Sequence, residues 1–172
     1  MKFIKFIALV FISIGAFSPI ESSFADSKNP EDYKVLSNRN DKFSILNVQN
    51  FLNVGDEYVK IGNYDKAKDS YDKARNLAKQ LSGFYRDLNG SYRGLDARIP
   101  REMEIKGRLT LKIWAESNAK LATLYKSKNQ PEVAVPLLVE IIKIMSASSP
   151  EGKSAYNDLI NLGFVETKYK GI

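Results

Sequence analysis

Apolar residues recur at spacings of three and four from Ser44 almost to the end of the chain, and this periodicity constrains the fold more than any other feature. No stretch shows the alternation of apolar and polar residues that is typical of a half-buried β-strand. The 172 residues, of which 44% are hydrophobic, are enough for about one domain with its own core. The sequence therefore predicts an all-α domain over residues 45–165, followed by a tail at 166–172.

Turn residues divide the pattern into helices. The first predicted helix runs from about Ile45 to Ile61, and Gly62-Asn63 separates it from a second that begins at Tyr64. The apolar stripe then continues to about Ala97. It fits either one long helix or two shorter helices that divide at the glycines between residues 83 and 94, each of which weakens a helix by about 1 kcal/mol.

A turn at residues 98–100 and a helix over 101–127 would bring the chain back as a long αα-hairpin. Pro131 suits the first turn of the next helix, whereas Pro136 predicts a kink or a restart inside it. Ser149 and Pro150 then begin a short helix that ends at Gly163. We expect this helix to cover the exposed face of the last helix pair as a cap.

The chain contains neither cysteine nor histidine, and this absence excludes several classes of function. A thiol nucleophile, a disulfide framework and a cysteine-based zinc site are all ruled out. The commonest general base and the commonest metal ligand are missing as well. We therefore expect a non-catalytic protein that needs no metal or cofactor.

The first 25 residues have the pattern of a secretory signal. Lys2 and Lys5 precede an apolar run at residues 6–17, and Ser23-Phe24-Ala25 places small residues where a signal peptidase cleaves. The alternative is an uncleaved anchor, but the run is shorter than the roughly 20 residues that span a bilayer. We expect cleavage, a flexible polar segment at 26–44, no further transmembrane segment, and no nucleic acid as a partner.

Residues 51–74 resemble a tetratricopeptide repeat. The first-helix part of the motif is filled by Phe51, Val54, Gly55 and Tyr58, and the second-helix part by Ala67 and Tyr71. Small residues at the crossing let two helices approach, and Tyr64 joins the other tyrosines as an expected filler of the space between them. Lys79 stands where the family usually has a proline, which suggests that the second helix continues.

A weaker copy of the motif follows at a constant offset of 67 residues. Tyr125, Ala134, Leu138 and Ile141 correspond to Tyr58, Ala67, Tyr71 and Ala74. Asn129 replaces the glycine of the loop. The whole chain, with its short signal and its Arg98–Glu102 turn, also resembles small exported tetratricopeptide-like proteins of marine cyanobacteria. That resemblance implies the periplasm or the thylakoid lumen rather than secretion.

In proteins with this repeat, the inner face of each first helix lines a groove that holds a partner's peptide or helix. Carried over to this chain, the groove positions are Gln49, Leu52, Asp56 and Val59 in the first repeat and Glu116, Ala119, Thr123 and Lys126 in the second. Asp56 would repel the terminal carboxylate that some relatives grip. The alternative is that these residues simply pack beneath the hairpin.

The net positive charge lies in the predicted hairpin. Residues 75–112 hold nine basic and four acidic side chains, and the rest of the chain after residue 25 is balanced. A helical wheel places Arg75, Lys79, Arg86 and Arg93 on one face, and Arg101 and Arg108 repeat the theme on the returning arm. This face is either an ordinary solvated surface or a patch that binds anions.

Two functions follow from these patterns. The first is an exported protein-binding adaptor or assembly scaffold that uses the groove. The alternative is a basic surface binder that holds an anionic lipid or an acidic glycan through the 75–112 hairpin. Neither reading identifies the partner protein.

Overall fold

The computed structural model describes residues 42–169, and in them five helices follow one another. They are α1 (Ile45–Lys60), α2 (Tyr64–Ser91), α3 (Arg98–Ser127), α4 (Pro131–Met145) and α5 (Pro150–Asn161). Each helix packs antiparallel to the one before it, which is consistent with a tetratricopeptide-like arrangement. The predicted all-α fold is thereby confirmed. The predicted signal at 1–25, residues 26–41 and residues 170–172 lie outside the described residues.

The core lies between the helices and receives side chains from all five of them. Where α1 crosses α2, Ala67 is fully buried and Gly55 faces Tyr71. A Cβ at Gly55 would lie 2.5 Å from Cδ1 of the Tyr71 ring, so only glycine lets that ring approach the α1 backbone. Tyr71 fills the crossing as expected, but Tyr64 does not, because it is 45% exposed.

The long helix α2 is continuous through Gly83 and Gly90, which decides between the two alternatives that the sequence leaves open. It ends at Ser91, six residues before the predicted end, and residues 92–97 form the turn. Asp96 explains the early start of α3, because its carboxylate accepts a hydrogen bond from the Arg98 N–H at 2.9 Å. Pro100 then falls in the first turn of α3, where its missing N–H does no harm.

The hairpin formed by α2 and α3 has arms of 28 and 30 residues, or about 40 Å. Helix α4 runs through Pro136 without the predicted restart. Pro136 is exposed and close to the start of the helix, so water can bind the carbonyl that loses its N–H partner. The short terminal helix is confirmed: the Ser149 hydroxyl accepts from the Gly152 N–H at 2.9 Å, and Pro150 opens α5.

One type of turn ends α1, α3 and α5. Gly62, Asn129 and Gly163 take left-handed φ angles of 73°, 55° and 77°. After each, the next N–H donates to the carbonyl five residues back, at 2.8, 2.9 and 3.0 Å. These turns are spaced by 67 and then by 34 residues. Helices α1, α3 and α5 therefore end in the same way.

A polar cluster joins α2, α3 and α4. Arg75 Nε donates to Asn118 Oδ1 at 2.7 Å, and its Nη2 donates to Glu140 Oε2 at 2.6 Å. Asn118 is completely buried and donates to the same carboxylate oxygen at 2.9 Å. The expectation that Arg75 belongs to a solvated basic face is therefore wrong, because α4 covers this end of the face and supplies the partner of the guanidinium.

Candidate partner-binding groove

Two neighbouring cavities lie along α3. The first, of about 530 Å³, is lined by Val59, Tyr64, Tyr71, Glu116, Ala119, Lys120, Thr123, Leu124 and Ser127. The second, of about 450 Å³, is lined by Lys112, Ala115, Glu116, Ala119, Leu138, Ile141, Pro150, Glu151, Ser154, Ala155 and Asp158. Because Glu116 and Ala119 line both, the cavities adjoin. We call this pair of cavities, which runs from α1 across α3 to α5, the groove.

Ion pairs fix the two walls of the groove. Lys120 Nζ lies 2.8 and 3.0 Å from the carboxylate oxygens of Asp56, which joins α3 to α1. Lys126 Nζ lies 2.7 Å from Asp158 Oδ2, which joins α3 to α5. The two pairs connect α3 to α1 on one side of the groove and to α5 on the other.

The Asp56 carboxylate also accepts a hydrogen bond from the Tyr71 hydroxyl at 2.6 Å, and the ammonium of Lys120 lies 5.8 Å from the centre of the Tyr71 ring. Burial raises the pKa of Asp56, but the hydrogen bonds from Lys120 and Tyr71 and the charge of Lys120 outweigh it. The pKa of Asp56 therefore lies below its usual value. Burial and the hydrogen bond to Asp56 both raise the pKa of Tyr71. Asp56 is thus a paired anion at neutral pH.

The structure places the predicted groove residues in different surroundings. Val59 and Thr123 line the first cavity, and Lys126 lies on the α5 side in its pair with Asp158. Gln49 is exposed, and Leu52 is only 4% exposed because it belongs to the core between α1 and α2. Asp56 was expected to repel a carboxylate, and Lys120 now balances its charge. That these residues bind a partner remains a prediction.

Three features of the groove were not identified from the sequence. Lys120 was not singled out, because a lysine on a helix gives no signal of a partner 64 residues away. Tyr64 was assigned to the space between α1 and α2, yet it lines the first cavity. Helix α5 was expected only to cap the array, and it forms one wall of the second cavity. The spacing of 34 residues between Asn129 and Gly163 could have indicated from the sequence that α5 ends in the same type of turn as α3.

The turn geometry and the crossing of α1 and α2 point to a helical repeat. Residues 48–80 match the family model of the tetratricopeptide repeat. The match covers most of α1 and the first part of α2, where the sequence resemblance is strongest. Such a repeat is in general a helical scaffold for binding other proteins and is typically non-catalytic. Comparisons with curated proteins and with solved structures gave no match.

Three residues of the predicted anion patch, Arg86, Arg93 and Arg108, line one cavity between the arms of the hairpin, whereas Lys79 and Arg101 do not line it. Lys79 Nζ lies 5.8 Å from the centre of the Trp114 ring, Arg86 pairs with Asp87 at 3.0 Å, and Arg108 pairs with Glu104 at 2.8 Å. Arg93 donates to Asn89, and Arg101 is exposed. Binding of an anion by these five residues remains a prediction.

The described residues supply two further observations. Across residues 42–169, no group of three or more acidic side chains is arranged to hold a metal ion. In the same range, no helix is both long enough and apolar enough to cross a bilayer.

Proposed function

We propose that this protein is an exported, non-catalytic adaptor that binds a segment of another protein in the groove and so helps to assemble or hold a complex. The observation that carries the proposal is the pair of adjoining cavities lined by α1, α3 and α5. Their lining residues on α3 run from Lys112 to Ser127, about 22 Å along the helix, which is enough for several residues of an extended chain or two turns of a helix. The tetratricopeptide repeat at residues 48–80 supports a protein as the partner.

The chemistry of the groove indicates what kind of segment it takes. Its floor is apolar, with Leu124, Leu138 and Ile141 below and Ala119 at the junction. The charged residues that line the cavities all lie in ion pairs: Lys120 with Asp56 and Glu116, Asp158 with Lys126, and Lys112 with Glu151. Burial of apolar surface would therefore supply most of the affinity, and we expect little dependence on salt.

Affinity capture with the tagged chain tests this proposal. Ala119→Arg would fill the junction of the cavities, whereas Ala147→Arg adds the same side chain at an exposed position outside the groove. We expect the unmodified chain and Ala147→Arg to retain one defined protein at both low and high salt. Ala119→Arg should lose it, with an affinity for the purified partner weakened by at least about tenfold.

Circular dichroism of both variants establishes that each remains folded. Equal retention of the partner by Ala119→Arg and Ala147→Arg would contradict binding in the groove. Release of every captured protein at high salt would contradict an apolar groove and favour the basic hairpin.

We further propose export to the periplasm or the thylakoid lumen, which the charge and apolar pattern of residues 1–25 supports. Fractionation of cells that express the chain with a C-terminal tag, followed by N-terminal sequencing, tests this step. The expected product begins at Asp26 and lies outside the cytoplasm, and Ala25→Lys should prevent the cleavage. An uncleaved chain in the cytoplasm would contradict the proposal without bearing on the groove.

A further inference from the structure

A third cavity, of about 420 Å³, lies between the two arms of the hairpin and shares no lining residue with the groove. We call it the hairpin cleft. Arg86 of α2, Arg93 of the turn between the two helices and Arg108 of α3 line it, and Met103, Leu111 and Trp114 of α3 supply apolar surface. The cleft therefore combines three guanidinium groups with an apolar lining.

The guanidinium groups of the cleft are available to a ligand. Arg86 and Arg108 each pair with a carboxylate of the same helix, but both arginines are largely exposed, and such surface pairs contribute little free energy. Arg93 donates to the neutral Asn89 side chain at 3.4 Å, and no carboxylate of residues 42–169 forms an ion pair with it. A ligand carboxylate can thus bind Arg93 directly and compete with the weak pairs beside it.

The apolar lining of the cleft favours a ligand that carries apolar groups as well as negative charge. Met103 is only 7% exposed, and the Trp114 ring is partly buried with the Lys79 ammonium 5.8 Å from its centre. Lys79 does not line the cleft itself, and Glu104 is the single acid that does. An inorganic ion would leave the apolar surface unused, but a chain that carries both carboxylates and apolar side chains would use both parts.

We propose that the hairpin cleft binds an acidic segment of a partner protein in which carboxylates flank an apolar or aromatic side chain. The shape of the site favours a protein segment over a membrane, because a cleft between two helices admits a single chain while a bilayer meets convex surfaces. The charge is complementary, since residues 75–112 carry the whole net positive charge of the chain after residue 25. This binding is independent of the groove and extends the protein to two partner sites.

Trp114 gives a direct measurement, because it is the only tryptophan of the chain and lines the cleft. The probe is a tryptophan-free peptide of alternating Glu and Leu residues with a central Phe, titrated into the full chain while Trp114 emission is recorded. We expect a saturable change in emission that weakens as salt is raised. The same peptide with Gln in place of Glu should bind at least about tenfold more weakly.

Variants locate the binding. Arg93→Gln/Arg108→Gln should weaken peptide binding at least about tenfold, whereas Lys73→Gln/Lys143→Gln removes the same charge from exposed positions elsewhere and should leave it nearly unchanged. Ala119→Arg should also bind the peptide normally, which separates failure of this inference from failure of the groove. Equal affinity of both double variants, or equal binding of the Gln peptide, would overturn the proposal. So would a Trp114 response to phosphatidylglycerol vesicles together with none to the peptide.

Discussion

Arg75→Met should lower the free energy of unfolding by about 3 kcal/mol, because it removes the counter-charge of the half-buried Glu140 and the donor to the buried Asn118 side-chain oxygen. Glu140 would lose the guanidinium that lies 2.6 Å from its Oε2, and the Oδ1 of the fully buried Asn118 would lose its donor at 2.7 Å. The Arg75 and Glu140 side chains are 28% and 22% exposed, so in the variant water can solvate the Glu140 carboxylate and offset part of the lost stability. This places the effect at the lower end for a broken buried ion pair.

Urea unfolding followed by circular dichroism measures the change, with Arg101→Met as the matched control. Arg101 is exposed, and its replacement should alter the free energy of unfolding by no more than about 0.5 kcal/mol. The double variant Arg75→Met/Glu140→Leu should recover part of the loss, since it removes both charges together. If Arg75→Met unfolds at the same urea concentration as Arg101→Met, the cluster does not hold the three helices together.

The position of Arg75 shows where sequence reasoning reaches its limit. The periodicity placed Arg75 on the same face of one helix as Lys79, Arg86 and Arg93, but α2 ends at Ser91 and Arg93 lies in the turn after it. A helical wheel gives a direction about one axis, and it does not say which other helix covers each turn of that face. Helix α4 covers the turn that contains Arg75, while Arg86 and Arg93 lie further along the arm at the exposed hairpin cleft.

The helices themselves could be predicted because each signal is local. Ser44 and Ser149 begin α1 and α5 by accepting hydrogen bonds from Asn47 and Gly152, and both bonds depend on residues three apart. The groove depends on long-range pairs such as Asp56–Lys120, which no spacing in the sequence reveals. Val59 and Leu52 both lie on α1. Only the packed structure shows that Val59 lines the first cavity and that Leu52 belongs to the core.

Gly152→Ala is the second change with a large expected effect, a loss of about 3 kcal/mol in the free energy of unfolding. A Cβ at this position would overlap the carbonyl oxygen of Ser146 and lie 2.9 Å from its carbonyl carbon. That carbonyl cannot easily move, because it accepts hydrogen bonds from the hydroxyl of Ser149 at 2.8 Å and from its N–H at 3.2 Å. The new methyl group would therefore displace the first turn of α5.

Gly83→Ala is the matched control, because it makes the same replacement inside a helix where a Cβ meets nothing within 4 Å. It should raise the free energy of unfolding by up to about 1 kcal/mol, so the two variants are expected to differ in sign. Urea unfolding gives both values, and hydrogen exchange of the α5 amides reports whether that helix separates first. A stable Gly152→Ala chain with protected α5 amides would show that α5 tolerates the added methyl group.

The same variant connects the stability of α5 with the groove. Pro150, Glu151, Ser154, Ala155 and Asp158 of α5 all line the second cavity, whereas the first cavity takes its walls from the other helices. If α5 separates, the second cavity opens and Lys126 loses Asp158, but Asp56–Lys120 still joins α1 to α3. A partner segment that spans both cavities should then bind weakly to Gly152→Ala and normally to Gly83→Ala. Unchanged partner binding in both variants would confine the site to the first cavity.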